Sequence, residues 1–298
     1  MRFGHVIGRQ RLTAAPLQKL TSPISIRALS TSASAARNAD TSETTASRPH
    51  SIDPRWLTMT KRRLGKCMMF GLNASQVQEA GEVLRQIARD WRELVAGSEG
   101  YLTDATRRGL FQQNVAWGEM DTMGHVNNVT YVRYAETARV YLTRNFATHI
   151  DPGHRKEWMN VVGSTGIGLI LRSIKIDYKF PMTYPDKVTV YHRLVQDPTS
   201  PHSHKDAFHL QAIIISESRQ RPAARVHEDI VTYDYRLGKK TAMPPFMLEQ
   251  FKNTWDLQER AKEFWQQRIL DIESRVRTLE VESWDRDDAV EDTGSAKE

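Results

Sequence analysis

Apolar positions along the chain fall into two periods, and the change from one to the other outlines the fold. From Ser75 to about Ala96, the residues Val77, Ala80, Val83, Leu84, Ile87, Trp91 and Leu94 recur at helical spacing. Ser75 and Gln78 have the spacing of a capping box, and Gly97 and Gly100 follow as a stop. Residues 55–74 show no clear period. Residues 109–118 read as a strand, and residues 119–127 as a polar loop containing glycine. A helix is then expected from about Asn128 to Phe146, with Tyr131, Tyr134, Ala135, Ala138, Leu142 and Phe146 on one face. Ala135 and Ala138 are small enough to let that helix lie close to a sheet.

After Pro152-Gly153 the period shortens. Gly166–Phe180, Lys187–Gln196, Phe208–Ser218 and Ala224–Tyr235 read as strands, with alternation at positions such as Val188 and Val190. Turn-forming stretches separate them at 181–186, 197–204 and 219–222. Strand, long helix and four consecutive strands predict an α+β fold, an antiparallel β-sheet wrapped around a central helix. A doubly wound sheet would alternate strand and helix. Met247–Glu280 carries a second helical stripe through Leu257, Ala261, Phe264, Trp265, Ile269, Ile272, Val276 and Leu279. Together with the helix at 75–96 it forms N- and C-terminal helical extensions.

Composition changes this picture mainly at the ends. The 298 residues are 39% hydrophobic and 26% charged, ordinary values for a globular protein. No apolar run approaches a membrane span. The single cysteine, Cys67, excludes an internal disulfide. The net charge of +6 invites a nucleic-acid reading, but its distribution argues against one. Arg2, Arg9, Arg11, Lys19, Arg27 and Arg37 precede the first acid, Asp40, in a segment rich in Ser, Thr and Ala. These are the marks of a mitochondrial transit peptide over 1–39, removed between Arg27 and Asn38, with the matrix as the expected location. Without it, 36 basic residues face 36 acidic ones, so no nucleic-acid partner is expected. Residues 40–108 are assigned as linker and accessory helix, 109–246 as the central domain, 247–283 as the C-terminal extension and 284–298 as a disordered acidic tail.

The candidate chemistry lies in the loop before the central helix. Asp121, Gly124 and His125 sit there, and Asn128 is a good helix N-cap. The first turn of a helix offers free N–H groups and a positive dipole end, able to polarise a carbonyl oxygen. Asp121 could attack that carbonyl or activate water. The same residues also have structural uses. Asp121 and Gly124 are turn formers, Asn127 and Asn128 are caps, and Glu136 is spaced for helical salt bridges with Arg133 and Arg139.

The stretch Asp121, Gly124, His125, Val126, Asn127, Asn128, Tyr131 and the Glu136…Arg139 pair resembles the signature of the hot-dog-fold thioesterases. The nearest branches are the 4-hydroxybenzoyl-CoA thioesterase-like and acyl-ACP thioesterase-like ones. Ile176-Asp177-Tyr178-Lys179-Phe180-Pro181, with Asp186, resembles a second block of that family. The resemblance covers about 110–240. It implies a hot-dog fold working as a homodimer or dimer of dimers, and hydrolysis of acyl-CoA or acyl-carrier-protein thioesters without metal or organic cofactor. It implies catalytic roles for Asp121, His125 and the Asn128 amide, and substrate contacts for Gly124, Asn127 and Tyr131, the last lining the acyl or pantetheine channel, with a place in the core as its second reading. Glu136 stands as a reserve carboxylate. Plant-type acyl-ACP enzymes carry asparagine two residues after the aspartate, where this chain has Met123, so that mechanism does not transfer whole. The alternative is a catalytically silent hot-dog subunit whose extensions dock a mitochondrial assembly.

Overall fold

The computed structural model describes Asp53 and residues 55–292. The expected transit peptide, and residues 293–298 of the expected tail, lie outside the described residues. The elements run α1 (Trp56–Met69), α2 (Ala74–Ala96), β1 (Gln113–Asn114), α3 (Asn128–Asn145), α4 (Arg155–Asn160), β2 (Ile167–Tyr178), β3 (Lys187–Leu194), β4 (Ala207–Ser216), β5 (Arg221–Asp234), β6 (Lys239–Lys240) and α5 (Pro245–Ser283). The sheet is antiparallel, in the order β1-β3-β4-β5-β2, with β6 added to β5. It curls around α3, as the hot-dog fold requires.

Strand alternation gives the sheet two buried faces. Val188, Val190, Ala212, Ile214 and Val226 point inward and pack with Tyr131, Tyr134, Ala135 and Ala138 of α3. Tyr191, Ile213 and Ile215 point outward and join Leu64, Val83, Ile87, Leu94, Ile269, Ile272 and Val276 from α1, α2 and α5. The accessory helices therefore cap the outer face of the sheet. Gly109 shows why α3 needs its small residues. A Cβ at Gly109 would stand 2.5 Å from the Ala138 side chain, so the chain passes the helix at backbone distance. Beyond Ala138 a third cluster collects Phe146, Trp158, Leu194, Phe208, Met247 and Phe251.

Several boundaries differ from the sequence expectation, each for a local reason. The stretch 55–74, without clear period, contains α1, which buries Trp56, Leu57, Thr60, Leu64 and Cys67 between charged and polar neighbours. The capping box of α2 is Asn73 and Gln76 rather than Ser75 and Gln78, because the Asn73 side chain accepts the Gln76 N–H while Gln76 reaches back to the Asn73 N–H. The strand expected over 109–118 shrinks to Gln113–Asn114. Trp117–Glu119 instead forms a single 3-10 turn, held by the Glu119 carboxylate accepting the Ala116 N–H at 2.8 Å. Of the tail expected to be disordered, the first part is packed. Trp284 lies against the outer cluster with the Lys66 ammonium over its ring, and the Asp292 N–H bonds the Met69 carbonyl at 2.8 Å.

Candidate active site

The loop between the Trp117–Glu119 turn and α3 folds back on itself. Met120 and Val126 form an isolated β-bridge, and the Asp121 N–H donates to the His125 carbonyl at 2.7 Å. Asp121 Oδ1 accepts the N–H groups of Met123, at 2.8 Å, and His125, at 3.1 Å. Gly124, whose N–H bonds the Asp121 carbonyl, has φ +75°. A Cβ there would meet nothing within 4 Å, so backbone conformation, rather than space, selects glycine at this position. The loop-shaping use of Asp121 is thus real, but it occupies only Oδ1. Asp121 and His125 are half-buried, while Met123 is 76% exposed.

The helix begins at Asn128, where its period suggests, but Asn127, not Asn128, is the N-cap: its side-chain oxygen accepts the Val129 N–H at 3.0 Å. The Thr130 N–H bonds the Asn127 carbonyl at 2.9 Å. Asn128 becomes the first helical residue, and among the described residues its N–H has no acceptor. This is the orphan donor that every helix start leaves. It is exposed and lies at the positive end of the 18-residue α3. Such a donor can stabilise negative charge developing on a carbonyl oxygen.

Residues distant in sequence hold this loop. The Val126 N–H bonds the Met182 carbonyl at 2.8 Å, and the Asn127 N–H bonds the Glu119 carbonyl at 2.8 Å. Tyr134 donates its hydroxyl to Glu119 at 2.7 Å. Glu119, Tyr134 and Met182 are thus the positioning residues that the sequence reading did not single out. The 119-to-134 spacing carries no local periodic signal. Of the two readings of Tyr131, channel lining and core, its burial fits the core. It is 2% exposed, accepts the Met182 N–H at 3.3 Å and meets the Tyr178 ring edge-on with centroids 5.2 Å apart. Tyr178 in turn donates to the Asn128 carbonyl at 3.1 Å.

Further along α3 the expected Glu136…Arg139 pair is replaced by a longer-range one. Arg139 bonds Glu228 of β5, and Glu136 stays exposed. Glu228 and His192 of β3 are fully buried, with His192 Nε2 3.8 Å from Glu228 Oε2. Both His192 ring nitrogens and Glu228 Oε2 have no hydrogen-bond partner among the described residues. Burial pushes the Glu228 carboxyl up to about 7, with Arg139 pulling it down and Glu136 pushing it further up. Burial, reinforced by Arg139, pushes the His192 imidazole down to about 3. Arg139 and His192 line a largely apolar cavity of about 40 Å³, walled by Phe146, Trp158, Phe208 and Phe251. Among the described residues no three His, Cys, Asp or Glu side chains gather as a metal site, and no helix is long and apolar enough to cross a membrane.

Residues 115–251, which span the loop, α3, the sheet strands β2–β6 and the first turns of α5, match the thioesterase-like superfamily. The match covers 137 of the 298 residues, just under half of the chain. At its general level the chemistry of the superfamily is thioester hydrolysis. Among solved structures, the chain is similar to a thioesterase from Thermus thermophilus complexed with coenzyme A and Zn. The identity is 19%, over 53% of this chain and 97% of that one, with a TM-score of 0.39. It is also similar to the protein SAV2348 of Staphylococcus aureus in complex with CoA, with 12% identity over 52% and 88% of the two chains and a TM-score of 0.41. A third is a DHNA-CoA thioesterase from Staphylococcus aureus, with 16% identity over 57% and 90% and a TM-score of 0.34. No curated protein matches the sequence. The superfamily match leaves out α1 and α2 entirely.

Proposed function

We propose that the chain hydrolyses acyl thioesters of CoA or of acyl carrier protein in the mitochondrial matrix. The observation that carries this reading is the unpaired Asn128 N–H at the start of a buried helix, on a loop that the Asp121 carboxylate closes with one oxygen only. The thioester carbonyl oxygen accepts the Asn128 N–H and draws charge toward the helix start. Asp121 Oδ2, which has no hydrogen-bond partner among the described residues, either takes a proton from water as that water attacks the carbonyl carbon, or attacks it directly. On the first route the C–S bond breaks and the proton passes to the departing thiolate. On the second, a mixed anhydride forms, the thiolate leaves, and water opens the anhydride. His125 and Asn127 act by shaping the loop, and Gly124 supplies its backbone turn.

Two features support a second copy of the chain beside this site. The 12-residue β2 lies at one edge of the sheet, with one side unpaired among the described residues, a template for antiparallel pairing. Trp117, Met123 and Val129 are 75%, 76% and 59% exposed around the loop, an apolar collar suited to a covering partner.

The test is released thiol from the purified chain given short, medium, long and aromatic acyl-CoAs and an acyl carrier protein, with Asp121→Asn alongside. Asparagine keeps the Oδ1 acceptor for Met123 and His125, so the loop and the unfolding midpoint stay as they are. Turnover falls about 10²–10⁴-fold. A folded Asp121→Asn protein with full activity removes the mechanism. Single turnover in oxygen-labelled water separates the two routes, since only direct attack leaves label in Asp121. Silence across the panel, together with migration of the native protein in a large complex, favours the scaffold reading.

A further inference from the structure

A second concave site lies where α1 meets the end of the sheet. It is a groove of about 810 Å³, lined among others by Arg55 and Arg62 of the α1 segment, Lys179 and Phe180 beyond β2, and Arg221 and Arg225 at the start of β5. That is the size range of sites for small organic ligands. Its charge is one-sided. Arg225 is matched by Glu99 through two hydrogen bonds of 2.5 and 2.6 Å. Asp53, the other acid of the groove, is engaged by the Arg55 N–H at 2.7 Å. Arg55, Arg62 and Arg221 form no salt bridge among the described residues, are exposed, and lie with Lys179 in the same concavity. Arg221 is held in place by its stacking on Phe180, 4.0 Å from the ring centroid. Concave sites lined by one sign of charge concentrate ligands of the other sign, and arginine forks match phosphate oxygens.

The groove is tied to the hydrolytic loop by a short strap. Phe180 lines the groove, and Met182 takes the Val126 N–H on its carbonyl and gives its own N–H to Tyr131. The two Cα atoms are at most about 7 Å apart along the chain. An acyl thioester of CoA has the shape this arrangement calls for: a thioester at one end, a flexible pantetheine arm, and an anionic phosphorylated adenosine at the other.

We propose that this groove binds the phosphorylated adenosine end of CoA, with Arg62 and Arg221 on its phosphates, so that α1 supplies part of the substrate site. The inference deepens the thioesterase reading and names the carrier as CoA. α1 lies outside the superfamily match, so the extension, rather than the shared domain, would set the choice of carrier.

The test titrates CoA, 3′-dephospho-CoA and pantetheine into the full chain by calorimetry, for the wild type, Arg62→Ala and Arg221→Ala. In parallel it measures kcat/KM for acyl-CoA and for the acyl carrier protein against the matching acyl-pantetheine. Circular dichroism checks that each variant is folded. The expectation is that CoA binds more tightly than dephospho-CoA and pantetheine, that added salt weakens it, and that each substitution weakens it about tenfold. The ratio of acyl-CoA to acyl-pantetheine kcat/KM falls about tenfold through KM. CoA affinity and ratio both unchanged in the variants overturn the proposal. So does a loss confined to acyl-carrier-protein turnover, which would make the groove a protein-docking surface. If no thioester is hydrolysed while CoA binding still depends on Arg62 and Arg221, the thioesterase reading fails and the groove stands. If Asp121-dependent hydrolysis is present and the variants bind CoA as the wild type does, the groove fails and the thioesterase reading stands.

Discussion

The loop at the start of α3 and the Arg139–Glu228–His192 cluster share one helix and differ in nearly every physical respect. Asn128 and Arg139 are about 16 Å apart along the axis. At the loop, Asp121 is half-buried, Asn128 is exposed, and backbone hydrogen bonds fix the geometry while leaving one N–H and one carboxylate oxygen for a ligand. In the cluster, the carboxyl and the imidazole are fully buried, both have displaced pKa values, and the neighbouring cavity is small and mostly apolar. Displaced pKa values often mark catalytic groups, but buried structural networks produce them too. The two regions show the difference. The loop presents its unused groups to solvent, where a thioester can reach them. The cluster turns its unused groups toward the interior.

Experiments can break this contrast, and the largest effect belongs to the loop, where Asp121→Asn removes turnover without unfolding the chain. If His192→Gln or Glu228→Gln cost as much turnover at constant stability, the cluster would join the chemistry and the contrast would fall. The next effect is on stability. The folded pKa of His192 lies below its ordinary value, so its contribution is present above about 6.5 and is lost as pH falls toward 3. Relative to His192→Gln, the wild type loses about 3 kcal/mol between pH 6.5 and pH 4, read from urea melts at each pH. Glu228 has the opposite sign. Its folded pKa is raised, so its contribution is present below about 4.5 and is lost as pH rises through about 7. Relative to Glu228→Gln, the wild type loses at most about 3 kcal/mol between pH 4.5 and 7. Parallel profiles for wild type and variant would show that neither group titrates as buried. The smallest effect sharpens the loop side. Tyr134→Phe removes one hydrogen bond to Glu119 and costs about 1 kcal/mol in denaturant melts.

Much of the architecture was legible because α3 and the four long strands carry clean periods, and the turns between the strands are marked by Pro and Asp. Legibility failed where packing, rather than pattern, decides. α1 covers the outer face of the sheet with only Trp56, Leu57, Thr60, Leu64 and Cys67, spaced among arginines and lysines, so its period is diluted. The strand before the loop is cut short because Glu119 caps its own turn. Asp121, Gly124 and the Asn128 amide could be named from local residue types. Glu119, Tyr134 and Met182 could not, because their roles exist only once distant segments meet. Tyr131 is open to two readings for the same reason: a helical tyrosine looks alike whether it lines a channel or seals a core, and its packing against Met182 exists only once those segments meet.

The 39-residue α5 has a mechanical meaning. It is a rod of about 58 Å. Its first turns lie in the cluster with Phe146 and Trp158, and Gln258 bonds both the N–H and the carbonyl of Leu194 at the end of β3, at 2.8 and 3.1 Å. Its last turns lie against α1 and α2. One continuous splint therefore couples the curled sheet to its helical cap. The two should melt in a single cooperative step, and hydrogen exchange should find no separate foldon for the cap.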